Sequence, residues 1–122
     1  MSAVLVVDDS GIIRSAIRRI LESLGHVVIE APDGAQALEV CNSGQPIAAV
    51  LCDIDMPVMD GLTFLAQYQA LYRERAVPVI MCTTHNTFDR IKGAMSLGAS
   101  EYIMKPFDAE IMSEKLAACG VR

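Results

Sequence analysis

The chain has 122 residues, 52% of them apolar and 20% charged, with a formal net charge of −5. That length is one domain able to bury its own core, and that apolar share excludes a disordered segment. The acidic balance excludes a general nucleic-acid surface, and no run of about 18 apolar residues is present to span a membrane.

In chain order the sequence alternates strand and helix five times. Residues 1–7 enter a strand at once and carry no signal-peptide pattern. The aliphatic strand Ala3–Val7 ends at Asp8 and Asp9. From Ser10 the period changes: Ile13, Ala16, Ile17, Ile20 and Leu24 share one helical face, with Arg14, Arg18 and Glu22 elsewhere. Gly25 closes that helix, and His26 is read as a surface residue. Val27–Ala31 is the second strand. Asp33 and Gln36 form a capping box for a helix carrying Ala37, Leu38 and Cys41, and residues 42–46 are a loop.

Residues 48–52 read as a strand buried on both faces, ending abruptly at Asp53. Pro57 and the Asp60-Gly61 pair break the chain, and Asp60 caps a helix with Leu62, Leu65 and Ala66 inward. Residues 77–82 form the fourth strand, with Pro78 at a permitted position near its start. A helix follows over about residues 86–97, stopped by Gly98. Glu101–Met104 is the fifth strand. Asp108 caps a last helix with Ile111, Met112, Leu116 and Cys119 inward, and Gly120 ends it. Of the seven methionines, Met95 and Met104 are expected exposed and the others core filler. Cys41, Cys52, Cys82 and Cys119 show no metal-ligand spacing and read as small buried residues in a reducing cytoplasm. Cys52 and Cys82 each precede the polar residue that ends a strand, which allows them to be neighbours.

Right-handed crossovers make such a chain a parallel sheet with helices on both faces. The expected fold is α/β, doubly wound and flavodoxin-like, with strand order 2-1-3-4-5. That order is borrowed from the fold class.

In this class ligands bind beyond the carboxyl ends of the strands. Those ends supply Asp8 and Asp9 from the first strand, Asp53 from the third, Thr83 from the fourth, and Lys105-Pro106 from the fifth. Three converging carboxylates repel one another unless a cation sits among them, and hard oxygen ligands in a partly open site favour Mg²⁺. A hydroxyl and an ammonium on the far side suit phosphoryl oxygens. Together they describe an aspartyl-phosphate site.

These residues, with the run Met56-Pro57-Val58-Met59-Asp60-Gly61, Tyr102 and Phe107, resemble the receiver domain of two-component response regulators, most closely its single-domain, CheY-like members. The resemblance covers essentially the whole chain. It implies that Asp53 accepts a phosphoryl group from a histidine kinase. It implies that Asp9, Asp53 and the backbone carbonyl of Asp55 hold Mg²⁺ (or Mn²⁺), with Asp8 acting mainly through water. Thr83 and Lys105 would contact the phosphoryl oxygens, Tyr102 would turn inward with Thr83 as the switch, and the Lys105-Pro106 bond would be cis. Position 84 is usually Ala or Gly in the family and is Thr84 here. Thr84, Asp55 and His85 bear on the lifetime of the phosphorylated state.

Two other families share part of this pattern. Asp53-Ile54-Asp55 fits the DxD pair of haloacid-dehalogenase-type phosphatases, but that family carries it on the first strand. In an FMN-binding flavodoxin the phosphate loop follows the first strand, where Asp8 and Asp9 would repel it. A single receiver domain over residues 1–122, monomeric and cytoplasmic, with no output domain after Arg122, is expected to act by docking a partner. The family's usual surface is the fourth helix, fifth strand and fifth helix, around Ile91, Met95, Tyr102 and Lys115. The candidate partners are a flagellar switch protein, or a histidine phosphotransfer domain in a relay; a phosphate sink, a kinase regulator and a receiver cut from a larger regulator are the other possibilities.

Overall fold

The computed structural model describes residues 3–84 and 88–121. Five strands, β1 (Ala3–Val7), β2 (Val27–Ala31), β3 (Ile47–Asp53), β4 (Val79–Thr83) and β5 (Glu101–Met104), alternate with helices α1 (Gly11–Ser23), α2 (Gly34–Asn42), α3 (Gly61–Tyr72), α4 (Phe88–Ser96) and α5 (Ala109–Ala118). A 3₁₀ turn, Arg73–Arg75, follows α3. All strand pairs are parallel and the order is β2-β1-β3-β4-β5, as expected.

The buried side chains form two clusters, one on each face of the sheet. Leu5, Val7, Val50, Cys52 and Met81 pack with Ala37 of α2, Phe64, Leu65 and Tyr68 of α3, and Ala94 of α4. Val4, Val6, Leu51, Ile80, Cys82 and Ile103 pack with Ile17 and Leu21 of α1 and Met112 and Leu116 of α5. The alternation of neighbours between clusters is the period-two geometry of a strand buried on both sides. Cys52 and Cys82 lie close together on the adjacent strands β3 and β4, with their side chains on opposite faces of the sheet.

The caps are as the sequence reads. Ser10, Asp33, Asp60 and Asp108 each accept a hydrogen bond from the backbone N–H three residues on, filling a donor the helix start would leave empty.

Strand and face limits differ in detail. β3 extends to Ile47 and Asp53, whose backbone groups continue the ladder. β4 begins at Val79, because Pro78 has no N–H to give, although its carbonyl still accepts from Val50. Ala16 and Ala66 are exposed, and the inner faces are taken by Leu21, Phe64 and Tyr68. Larger side chains bury more apolar area, and the Phe64 and Tyr68 rings stack with centroids 5.6 Å apart. Ile111 is also exposed, whereas Met104 is half-buried and Met95 exposed as expected. His26 is half-buried. Among the described residues α4 begins at Phe88; the expected start near 86 lies outside them, as does His85. No helix among the described residues is long and apolar enough to cross a membrane.

Candidate functional site

β1 and β3 are neighbours, and both deliver acids at their carboxyl ends. Asp8 is buried and held from three sides: Oδ1 accepts from the Ser10 N–H at 2.9 Å, Oδ2 from Lys105 Nζ at 2.6 Å, and its carbonyl from Arg14 Nη1 at 2.6 Å. Asp9 is exposed. Asp53, the last residue of β3, has a side chain 14% exposed, with Oδ1 3.6 Å from Lys105 Nζ. One carboxylate oxygen from each of Asp8, Asp9 and Asp53 lies within 4.8 Å of the others.

The charges explain each other. Burial raises the Asp53 pKa, Lys105 opposes that rise, and the neighbouring charges of Asp8 and Asp9 add to it, for a net increase. Burial works against the Lys105 ammonium, but the hydrogen bond to Asp8 and the charge of Asp53 outweigh it and its pKa is raised. The closer partner of Lys105 is Asp8, the most buried of the three carboxylates and so the one with most need of a counter-charge. Oxygen donors only, three carboxylates and one open side fit a hard divalent cation. Both Asp8 oxygens already accept hydrogen bonds, from the Ser10 N–H and from Lys105.

The other expected residues surround this centre. Thr83 ends β4 and is buried, and its carbonyl accepts from the Lys105 N–H at 2.9 Å. The Lys105-Pro106 bond is cis. Thr84 is exposed and lines a cleft of about 350 Å³ with Lys105, Pro106, Phe107 and apolar residues of α1. Tyr102 is half-buried, with Lys115 Nζ 5.1 Å above its ring and also 3.1 Å from Glu101. In the loop after β3, Val58 is 85% exposed at φ 68°, a strained backbone for a β-branched residue.

Three features escaped the sequence. Gly61 is required for space: a Cβ there would stand 2.1 Å from the Asp53 carbonyl oxygen. Arg14 and Arg18 both bind Glu30 of β2, at 3.0 and 2.7 Å, so the Arg14 contact to Asp8 is itself anchored. Their spacing of four residues on the polar side of α1 was a signal, but nothing local names Glu30 as the partner. Arg90 pairs with Asp55, a contact no local pattern announces.

A family model described as the response regulator receiver domain matches residues 4–117. The chain is 34% identical over 113 residues to the chemotaxis protein CheY homolog of Campylobacter jejuni, covering 92% of this chain and 87% of that protein. It is 39% identical over 112 residues to the sensor histidine kinase CheAY of Helicobacter pylori, covering 90% of this chain; the chain spans only 14% of that longer protein. Among solved structures it superposes on the CheX-CheY-BeF3-Mg+2 complex from Borrelia burgdorferi with a TM-score of 0.89 and 30% identity, covering 99% of this chain and 90% of that one.

Proposed function

The chain belongs to the response regulator receiver family, and from that membership we propose that it is a phosphorylation-activated switch whose acceptor is Asp53. It is a receiver of the CheY-like, chemotaxis type within two-component signalling. The observation that carries the proposal is the ending of β3 in a carboxylate flanked by Asp8, Asp9 and Lys105.

An Asp53 oxygen attacks the phosphorus of a phosphohistidine, the phosphorus–nitrogen bond breaks, and the donor imidazole is regained. Asp9, Asp53 and the Asp55 backbone carbonyl would hold Mg²⁺ or Mn²⁺, with Asp8 acting through water. When bound, the ion neutralises charge developing on the transferred group. Lys105 supplies a positive charge at the same centre, and Thr83 a hydroxyl to a second phosphoryl oxygen. Drawing Thr83 toward the phosphoryl group would vacate space for Tyr102 to turn inward. Asp55, Thr84 and His85 tune how long the modified state lasts. The protein turns over no separate substrate; it phosphorylates and dephosphorylates itself.

Output is assigned to the face of α4, β5 and α5, where Met95 is exposed and Lys115 is held between Glu101 and the Tyr102 ring. The donor would be a histidine kinase or histidine phosphotransfer protein, and the target a protein such as a flagellar switch component, in the cytoplasm. A relay role uses the same site with a phosphotransfer domain as acceptor. In a DxD phosphatase Asp55 would serve as the acid, yet its carboxylate is engaged by Arg90.

The test is labelling by a small acyl phosphate. The protein is expected to acquire phosphate only with Mg²⁺ or Mn²⁺ and to lose that capacity in Asp53→Asn. Label that survives the substitution, or forms undiminished in chelator, overturns the assignment.

A further inference from the structure

α4 reaches back across the site. Arg90 in its first turn pairs through Nη2 with Asp55 Oδ1, 35 residues earlier in the chain. The pair joins the loop after β3 to the helix after β4. These strands are neighbours, with Asp53 opposite Cys82 in their register, so Asp55 and Arg90 follow the two strands that end at Asp53 and Thr83. The Arg90 and Asp55 side chains are 38% and 48% exposed, and an ion pair so wet adds little to stability. It nevertheless sets the pose of the arginine. Arg90 Nε is out of solvent with no hydrogen-bond partner among the described residues. An unconstrained surface arginine would turn that donor to water.

Resting on Asp53 as the phosphoacceptor, we propose that Arg90 is a positioning residue that clasps Asp55 across the mouth of the site and prolongs the life of the aspartyl phosphate. In hydrolysis a water oxygen bonds to phosphorus as the phosphorus–oxygen bond to Asp53 breaks. Asp53 regains its carboxylate, inorganic phosphate leaves, and the proton goes to phosphate or solvent. Asp55, two residues beyond Asp53, is placed to accept a hydrogen bond from that water and orient it. Clasped by Arg90, its carboxylate is occupied and the two side chains narrow the approach.

The experiment is a double-mutant cycle on decay of the phosphorylated protein after removal of an acyl phosphate donor and excess Mg²⁺ exchange into fresh buffer. Arg90→Ala is expected to speed decay about threefold to tenfold in the native background and to change nothing in an Asp55→Ala background. Arg90→Lys, which keeps the cation, is expected to recover part of the slow decay. Added salt should speed decay of the native protein and leave Arg90→Ala unchanged, because only the former has the exposed Arg90–Asp55 pair to screen. A purely structural role for Arg90 would alter melting temperature without this dependence on Asp55 and salt. Unchanged or slower decay in Arg90→Ala, or an equal acceleration in both backgrounds, overturns the clasp alone. Failure of the native protein to label on Asp53 overturns the clasp together with the acceptor assignment.

Discussion

Asp53 is a carboxylate that folding makes harder to ionise. Its pKa lies above the ordinary 3.8, first because of burial, which Lys105 only partly offsets, with the charges of Asp8 and Asp9 adding to the rise. The native state therefore binds this proton more tightly than the unfolded state, and keeping Asp53 charged costs stability at neutral pH. That cost disappears below the ordinary carboxylate range, where both states are protonated. In chelator, Asp53→Asn is expected to melt at a higher temperature than the native protein at pH 7, with the difference fading as pH falls toward 3.8. Adding Mg²⁺ should raise the native melting temperature more than that of the variant, because binding stabilises only the state that holds the ion. Thermal melts across pH, with and without Mg²⁺, check both signs; a variant less stable at pH 7 would show that burial does not burden this carboxylate.

At the scale of elements, the site depends on how closely α3 starts beneath the end of β3. The Gly61 N–H donates to the Ile54 carbonyl at 2.8 Å, and the missing Cβ leaves room for the Asp53 carbonyl. Its nearest obstacle at 2.1 Å is backbone, which cannot swing aside like a flexible side chain. Gly61→Ala is therefore expected to destabilise by about 2–3 kcal/mol and to weaken Mg²⁺ binding by shifting Asp53. Gly93 in α4 is the control, since a Cβ there meets nothing within 4 Å. Gly93→Ala should be neutral or stabilising by about 0.5–1 kcal/mol, the ordinary helix preference. Urea unfolding and Mg²⁺ titration of both variants check the contrast, and equal behaviour would remove the steric account.

At the scale of the molecule, Lys105 joins three strand ends. It follows β5, bonds Asp8 after β1, approaches Asp53 of β3, and donates its backbone N–H to Thr83 of β4. Its side chain is 9% exposed and that of Asp8 2%, so removing the ammonium strands a buried carboxylate. Lys105→Met is expected to cost about 3 kcal/mol. Its raised pKa means this contribution is intact below the ordinary value of 10.5 and is lost as pH rises through the higher native one. Saturating Mg²⁺ should restore part of the loss by supplying another positive charge, about 2.7 kcal/mol at a hundredfold excess over Kd. Urea unfolding at pH 7 with and without Mg²⁺ measures this; a loss below about 1 kcal/mol would mean that the pair is not what holds Asp8 in place. The same lysine thus ties the ends of β1, β3 and β4 to the end of β5.

Local sequence by itself determined the elements and the acids. Period-two runs, period-3.6 faces, and caps at Ser10, Asp33, Asp60 and Asp108 are short-range effects, carried by residues a few positions apart. They marked Asp8, Asp9, Asp53, Thr83 and Lys105 as strand-end residues, and the family pattern supplied the strand order. Tertiary structure decided which charges meet. Lys105 choosing Asp8 over Asp53, Arg14 and Arg18 converging on Glu30, and Arg90 closing on Asp55 depend on side-chain reach and burial across elements. It also decided that Phe64 and Tyr68, not Ala66, fill the inner face of α3, because competition for buried area is settled only when the faces pack. Neither pairing energies nor packing are local in the chain, so no short window of sequence contains them.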